Sequence, residues 1–138
     1  MKMELWKIEE KLMENNNFRK LLGVKIEDIS EGAAVLSLSI REDLLQSGNM
    51  VHGGVLSVLI DSVIGTAVRT VLDPNEFSVT AEMNINYFRP AIKGKIFAEG
   101  KLVNKGKLLI VGTGEIKDEE GRLLAIGKAT YAVKKKNV

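Results

Sequence analysis

The residues best equipped for chemistry lie in "NMVHGGVLSVLIDSVIGTAV", residues 49–68. His52, the sole histidine of the chain, precedes Gly53 and Gly54, and Asp61 follows it by nine residues within a long apolar stretch. The glycines mark the start of a helix. The first N–H groups of a helix have no internal partner and carry a partial positive charge, and glycine lets a ligand oxygen approach the backbone closely. That is the geometry of an oxyanion hole, although a plain glycine-rich helix start is spelled the same way. Asp61 also has two readings, because a lone carboxylate is costly to bury unless it is hydrogen-bonded. It is either a core acid satisfied by backbone or by a hydroxyl such as Ser57, Ser62 or Thr66, or a general base or nucleophile in a mostly apolar pocket. His52 could cap the helix, anchor the loop or act as a base. With no acid or second histidine close in sequence, the structural role is favoured.

Spacing decides whether the two features can meet. Nine helical residues turn through about 900°, a net half-turn, and rise roughly 13.5 Å. The HGG turn and Asp61 therefore cannot serve one site within one chain. Two antiparallel copies of the helix, side by side, bring the N-terminus of each near the middle of the other. Such a dimer is isologous and makes two equivalent sites.

The surrounding elements must position these residues. Met1, Leu5, Ile8 and Leu12 recur at helical spacing, so residues 3–15 read as an amphipathic helix that the Asn15-Asn16-Asn17 run stops. Residues 23–30 and 33–40 read as two strands around the Glu31-Gly32 turn, and 41–51 as a polar loop. The helix from about Gly53 to Leu72 is apolar nearly all round, the mark of a buried helix, and Asp73-Pro74 ends it. Four strand patterns follow. In "FSVTAEMNINYF", Phe77, Val79, Ala81, Met83, Ile85 and Tyr87 share one side. Residues 95–103, 107–117 and 122–133 come next, separated by "NKGK" and "KDEEGR". Their apolar faces carry Gly100, Gly112, Gly114, Gly127 and Ala129, small enough for a sheet to curl closely around something. The one element of the right length is the central helix. The expectation is an α+β fold of a single domain spanning 1–138, with an N-terminal helical segment over 1–20, an antiparallel sheet of five to six strands around helix 53–72, and a basic tail over 134–138.

Bulk properties narrow the function. Apolar residues make up 45% and charged residues 28%, an ordinary globular balance, and the formal charge of +2 is too small to argue for nucleic acid. The absence of cysteine excludes disulfides and thiolate metal sites and fits a reducing, cytoplasmic setting. With one histidine, no metal site is expected. Asp61 and Arg69 interrupt the longest apolar region, which argues against a membrane span.

Three segments together carry a resemblance: "VHGG" with the apolar helix holding Asp61, "AEMNINYFRPA", and "EEGRLLAIGKATY". Over about residues 20–133 the chain resembles the hotdog-fold thioesterases of the PaaI type. The resemblance implies a sheet wrapped around a long helix, homodimers often paired into tetramers, and hydrolysis of acyl-CoA thioesters at the dimer interface. Coenzyme A enters only as part of the substrate, with no separate cofactor, and no nucleic-acid or membrane partner is implied. Carried over by position, Asp61 is the catalytic acid and Gly53 the backbone donor that polarises the thioester carbonyl. Gln46 replaces the commoner asparagine of the loop, as in related hydroxybenzoyl-CoA thioesterases, and Asn49 stands where a glycine is usual. Thr80 matches an assisting serine or threonine. Strict alternation puts Thr80 opposite the apolar face, so this role requires a bulge or a site-facing polar edge. His52, Gly54 and Asn49 line the substrate side. Arg89, Lys105 and Lys107 are the candidates to meet the CoA phosphates. Two other classes compete: a non-catalytic acyl-CoA-binding hotdog protein, and a hotdog dehydratase or hydratase, whose usual histidine context His52 lacks.

Overall fold

Alternating apolar residues build six strands, and the stretch after His52 builds the helix they enclose. The computed structural model describes residues 2–137, so Met1 of the first apolar stripe and Val138 of the basic tail lie outside the described residues. In chain order the elements are α1 (Lys2–Glu14), α2 (Asn17–Leu22), β1 (Lys25–Ser30), β2 (Ala33–Ser39), a 3-10 turn (Glu42–Leu44), α3 (Gly53–Arg69), β3 (Glu76–Tyr87), β4 (Lys95–Lys105), β5 (Leu109–Lys117) and β6 (Leu123–Lys135). The strands form one antiparallel sheet in the order β1-β2-β4-β5-β6-β3. This is the α+β hotdog arrangement: a sheet wrapped around one long helix. Among the described residues no helix is long and apolar enough to cross a membrane.

One side of α3 is wholly covered. Leu59, Ile60, Val63, Ile64 and Val68 are buried against Leu36, Leu38, Ile96, Ala98, Ile110 and Ile116 of the sheet, and Ala67 is fully buried as well. The small residues of β4, β5 and β6 make this approach possible. A Cβ at Gly100 would stand 2.8 Å from the Val63 carbonyl oxygen, and Cβ atoms at Gly112 and Gly127 would stand 2.7 Å from Ile64 and Ile60 carbons. The opposite stripe of α3, with Val55, Val58, Asp61 and Ser62, is only half-buried.

Four expectations need correction. First, α3 ends at Arg69 rather than Leu72. The N–H groups of Thr70, Val71 and Leu72 reach carbonyls three residues back, tightening the chain before Asp73-Pro74. Second, α1 turns Leu5, Trp6, Glu9 and Met13 inward, whereas Ile8 and Leu12 are 57% and 45% exposed. Glu9 enters a buried ion cluster with Arg19 and Arg69, and that attachment sets the helix's rotation. Third, the asparagine run ends one helix and begins another: Asn16 Oδ1 accepts the Arg19 N–H and caps α2, which Gly23 ends at φ 83°. Fourth, the β3 alternation breaks at a bulge between Thr80 and Glu82. Met83 and Ile85 pack on the core, while Phe77 and Val79 lie on the other side, 42% and 45% exposed.

Candidate active site

The bulge in β3 has a chemical consequence. An extra residue reverses the alternation, so Thr80 faces α3 along with Met83 and Ile85. Thr80 Oγ1 donates to Asp61 Oδ1 at 2.7 Å. From β6, the Tyr131 hydroxyl lies 2.6 Å from the same Oδ1 and 2.6 Å from the Asp61 carbonyl oxygen. Tyr131 is 4% exposed. Burial, then the hydrogen bond and charge of Asp61, push its phenol well above the ordinary value, so it remains a proton donor. Asp61 Oδ2 has no partner among the described residues. The carboxylate is half-buried, held through one oxygen and open at the other.

The second centre is the start of α3. His52 is the N-cap, its Nδ1 accepting the Gly54 N–H at 2.8 Å, so that the Gly54 donor is occupied within the chain. The Gly53 N–H has no acceptor among the described residues. The Gly53 carbonyl accepts from Tyr87 Oη at 3.2 Å. The preceding loop is closed by the Leu45–Val51 bridge, by Gln46 N–H to Met50 O at 2.8 Å and by Asn49 N–H to Gln46 O at 3.1 Å. Asn49 has φ 58°, a left-handed conformation that asparagine tolerates better than most residues. Asparagine therefore suits a position to which the resemblance assigns glycine. Gln46, Gly53 and Arg89 line one cavity of about 350 Å³ with Met50, Val51, Leu56, Tyr87, Phe88, Pro90 and Ala91.

The structure thus gathers the predicted residues into two separate groups, Asp61 with Thr80, and Gly53 with Gln46 and Arg89. Asp61 makes no hydrogen bond to residues 46–54 within the chain. Lys105 and Lys107 do not join Arg89. Lys105 ends the cross-strand row Thr80–Tyr131–Ile110–Lys105, three strand spacings or roughly 14 Å from Thr80. Lys107 sits in the exposed turn beyond it. Among the described residues no three His, Asp or Glu side chains gather in the way a metal site needs. Sequence reasoning gave no role to Tyr87 or Tyr131. The available signal for Tyr131 was its place in the row Ala125, Gly127, Ala129, Tyr131, where one hydroxyl-bearing ring follows three small residues on the helix-facing side.

The family model for the thioesterase superfamily matches residues 48–125, from the Gln46–Val51 loop into β6. A protein of Saccharolobus solfataricus, provisionally named an esterase, is 36% identical over 116 residues, which cover 84% of this chain and 82% of that protein. The 1,4-dihydroxy-2-naphthoyl-CoA hydrolase of Listeria monocytogenes is 30% identical over 118 residues, covering 86% and 96%. The E. coli PaaI protein from the phenylacetic acid degradation operon shares the fold, with a TM-score of 0.91 at 23% identity over 99% of this chain and 97% of that one.

Proposed function

Because the chain belongs to the thioesterase superfamily, we propose that it hydrolyses an acyl-CoA or aryl-acyl-CoA to the free acid and CoA at sites shared by two chains. The observation that carries this reading is the division of labour along α3. An open carboxylate oxygen stands at its middle, and a free N–H beside an apolar cavity stands at its start. Eight residues, roughly 12 Å of helix, separate them in one chain. An antiparallel partner helix would bring Gly53 of one protomer to Asp61 of the other. Two features support this homodimer: the half-open stripe of α3, and the free outer edge of β3, a long terminal strand of the kind that pairs readily. A dimer of such dimers is the proposed assembly.

In the proposed reaction the Gly53 N–H polarises the thioester carbonyl, and water attacks its carbon while Asp61 takes the water proton. The tetrahedral oxyanion stays on the Gly53 donor. The C–S bond then breaks, and the CoA thiolate leaves with the proton returned from Asp61. Direct attack by Asp61 is the nucleophilic variant of the same site. Thr80 steadies the carboxylate and Gln46 orients water or the thioester. Asn49, His52 and Gly54 shape the loop and helix start beside the substrate. The cavity walled by Leu56, Tyr87 and Phe88 receives the acyl or aryl group. Arg89 of one protomer and Lys105 and Lys107 of the other meet the CoA phosphates. No cofactor beyond the CoA of the substrate takes part.

The test is Asp61→Asn, assayed by CoA release across short, medium, long and aryl acyl-CoAs. The swap conserves shape, so the melting temperature should hold, KM should change little, and kcat should fall about 10²–10⁴-fold. Near-normal turnover in the folded variant would remove Asp61 from the mechanism, whereas tight binding with no CoA release by the parent protein from any of these esters would refute the reading and leave a non-catalytic acyl-CoA-binding protein.

A further inference from the structure

We infer that Tyr131 is a positioning residue for Asp61, fixing which carboxylate oxygen is offered to the reaction. The inference rests on the reading of Asp61 as base or nucleophile. A carboxylate on a helix can rotate about its side-chain bonds. Here two hydroxyls from two different strands converge on one oxygen: Thr80 Oγ1 at 2.7 Å and Tyr131 Oη at 2.6 Å, both on Oδ1. The phenol's single proton is shared between Oδ1 and the Asp61 carbonyl oxygen, also 2.6 Å away, so with the Thr80 donor it ties Oδ1 toward the helix's own backbone and leaves Oδ2 without a partner among the described residues.

The two donors are not equivalent. Thr80 is exposed and its hydroxyl can turn toward solvent, whereas Tyr131 is buried with its ring locked in place. Gly65, one turn beyond Asp61 on α3, borders the phenol and Arg69: a Cβ there would make ordinary contact with Tyr131 Oη at 3.4 Å and with Arg69 Nη1 at 3.5 Å. The charged group of α3 facing this corner is therefore Arg69. From α1, Glu9 binds Arg69 from behind. From β3 the facing group is the uncharged Thr80, while Glu82 pairs with Thr130 on the outer side of the sheet. The phenol is the one titratable hydroxyl in contact with the carboxylate, and an O–H donor favours the charged form of its acceptor.

Tyr131→Phe keeps the ring and removes only the O–H. The expected result is a kcat lower by about ten- to a hundredfold, as for loss of a hydrogen bond to a charged group. KM should stay within about twofold, and the acid limb of the kcat–pH profile should move to higher pH, because an O–H donor to the carboxylate has been lost. A purely structural tyrosine would lower the melting temperature and leave that limb in place. In an Asp61→Asn background, Tyr131→Phe should have no further effect on kcat, because the residue it acts through is gone. A folded Tyr131→Phe enzyme with kcat within about threefold of the parent and an unmoved acid limb overturns the inference. Should Tyr131→Phe fail to fold, a ring-fluorinated tyrosine placed at 131 by nonsense suppression is nearly isosteric and a stronger donor. It should move the acid limb to lower pH, and an unmoved limb is again fatal. Collapse of Asp61→Asn with Tyr131→Phe unchanged removes this inference alone, whereas near-normal turnover by Asp61→Asn removes Asp61 from the mechanism and this inference with it, and no CoA release by the parent removes the thioesterase reading itself.

Discussion

Replacing Glu9 by alanine removes the centre of a buried ion cluster that ties α1 to α2 and to the end of α3. Glu9 is 1% exposed. Its Oε1 accepts from Arg19 Nη1 at 2.9 Å, from Thr66 Oγ1 at 3.1 Å and from Arg69 Nη2, and its Oε2 accepts from Arg69 Nε at 3.0 Å. Arg19 is itself 3% exposed, and its Nε and Nη2 have no partner among the described residues. Alanine at position 9 would therefore strand a buried guanidinium without its counter-charge. Removing one member of a buried ion pair costs about 3–5 kcal/mol. For a chain of this length each kcal/mol moves Tm by about 3–4 °C, so the expected fall is about 9–20 °C. Thermal denaturation at fixed protein concentration measures it, since assembly would otherwise shift Tm. A fall below about 3 °C would refute the electrostatic account of α1 docking. Arg19→Met offers the contrast: it removes the two unpartnered donors and leaves Glu9 paired with Arg69, so its cost should stay within about 1 kcal/mol. Acidification gives a signed check. Burial by itself would raise the Glu9 carboxyl, but hydrogen bonds and charge from Arg69, then Arg19, outweigh it and hold the group below its ordinary 4.5. The unfolded chain then takes up the proton first. The stabilisation is complete above the unfolded value and is lost as pH falls through the lower folded one. Glu9→Gln should lack that loss.

Two further outcomes follow from the helix start and the sheet. Gly53→Pro deletes the proposed oxyanion donor at the first helical position, where proline is well tolerated, so kcat should fall about 10²–10³-fold with little change in Tm. Co-expressing it with Asp61→Asn should restore about a quarter of parental activity through hybrid dimers with one intact site, and the absence of any recovery would count against a site shared by two chains. Gly100→Ala should lose about 1–3 kcal/mol, because the new Cβ would stand 2.8 Å from a backbone oxygen of α3. Gly114→Ala, whose Cβ meets only side-chain carbons at 3.3–3.4 Å, should cost less than about 1 kcal/mol, and equal melting temperatures for the two variants would contradict close helix–sheet approach as the reason for these glycines.

Much of the fold was legible because it is written in local periods. The strands alternate, the central helix is apolar around most of its circumference, and Gly32 and Gly121, at φ 81° and 80°, mark the hairpin turns that "EG" and "KDEEGR" announced. The helix start was legible too, since HGG before an apolar run states a cap and a close backbone approach in one spelling. Other features leave no such trace. A strand pattern of twelve residues does not reveal which residue will bulge. That depends on the register against β6, and it decides whether Thr80 faces Asp61 or solvent. The rotation of α1 was misread because Ile8 and Leu12 are the apolar residues at helical spacing, while the residue that enters the interior is Glu9, whose partners are 10 and 60 positions away.

By itself, then, the sequence determined the order of the six strands and of α1 and α3, though not α2, together with the curl of the sheet around α3 and the separation of Gly53 from Asp61 along one helix. Each follows from local geometry, a fixed rise and turn per residue or the absence of a Cβ. Tertiary structure alone decided which groups touch Asp61. Tyr131 lies 70 residues from it, and only the pairing of β6 with both β3 and β5 carries its hydroxyl to the carboxylate. Contacts of that range depend on strand order and on one bulge, and both are set by the packing of the whole sheet against the helix rather than by any stretch of chain.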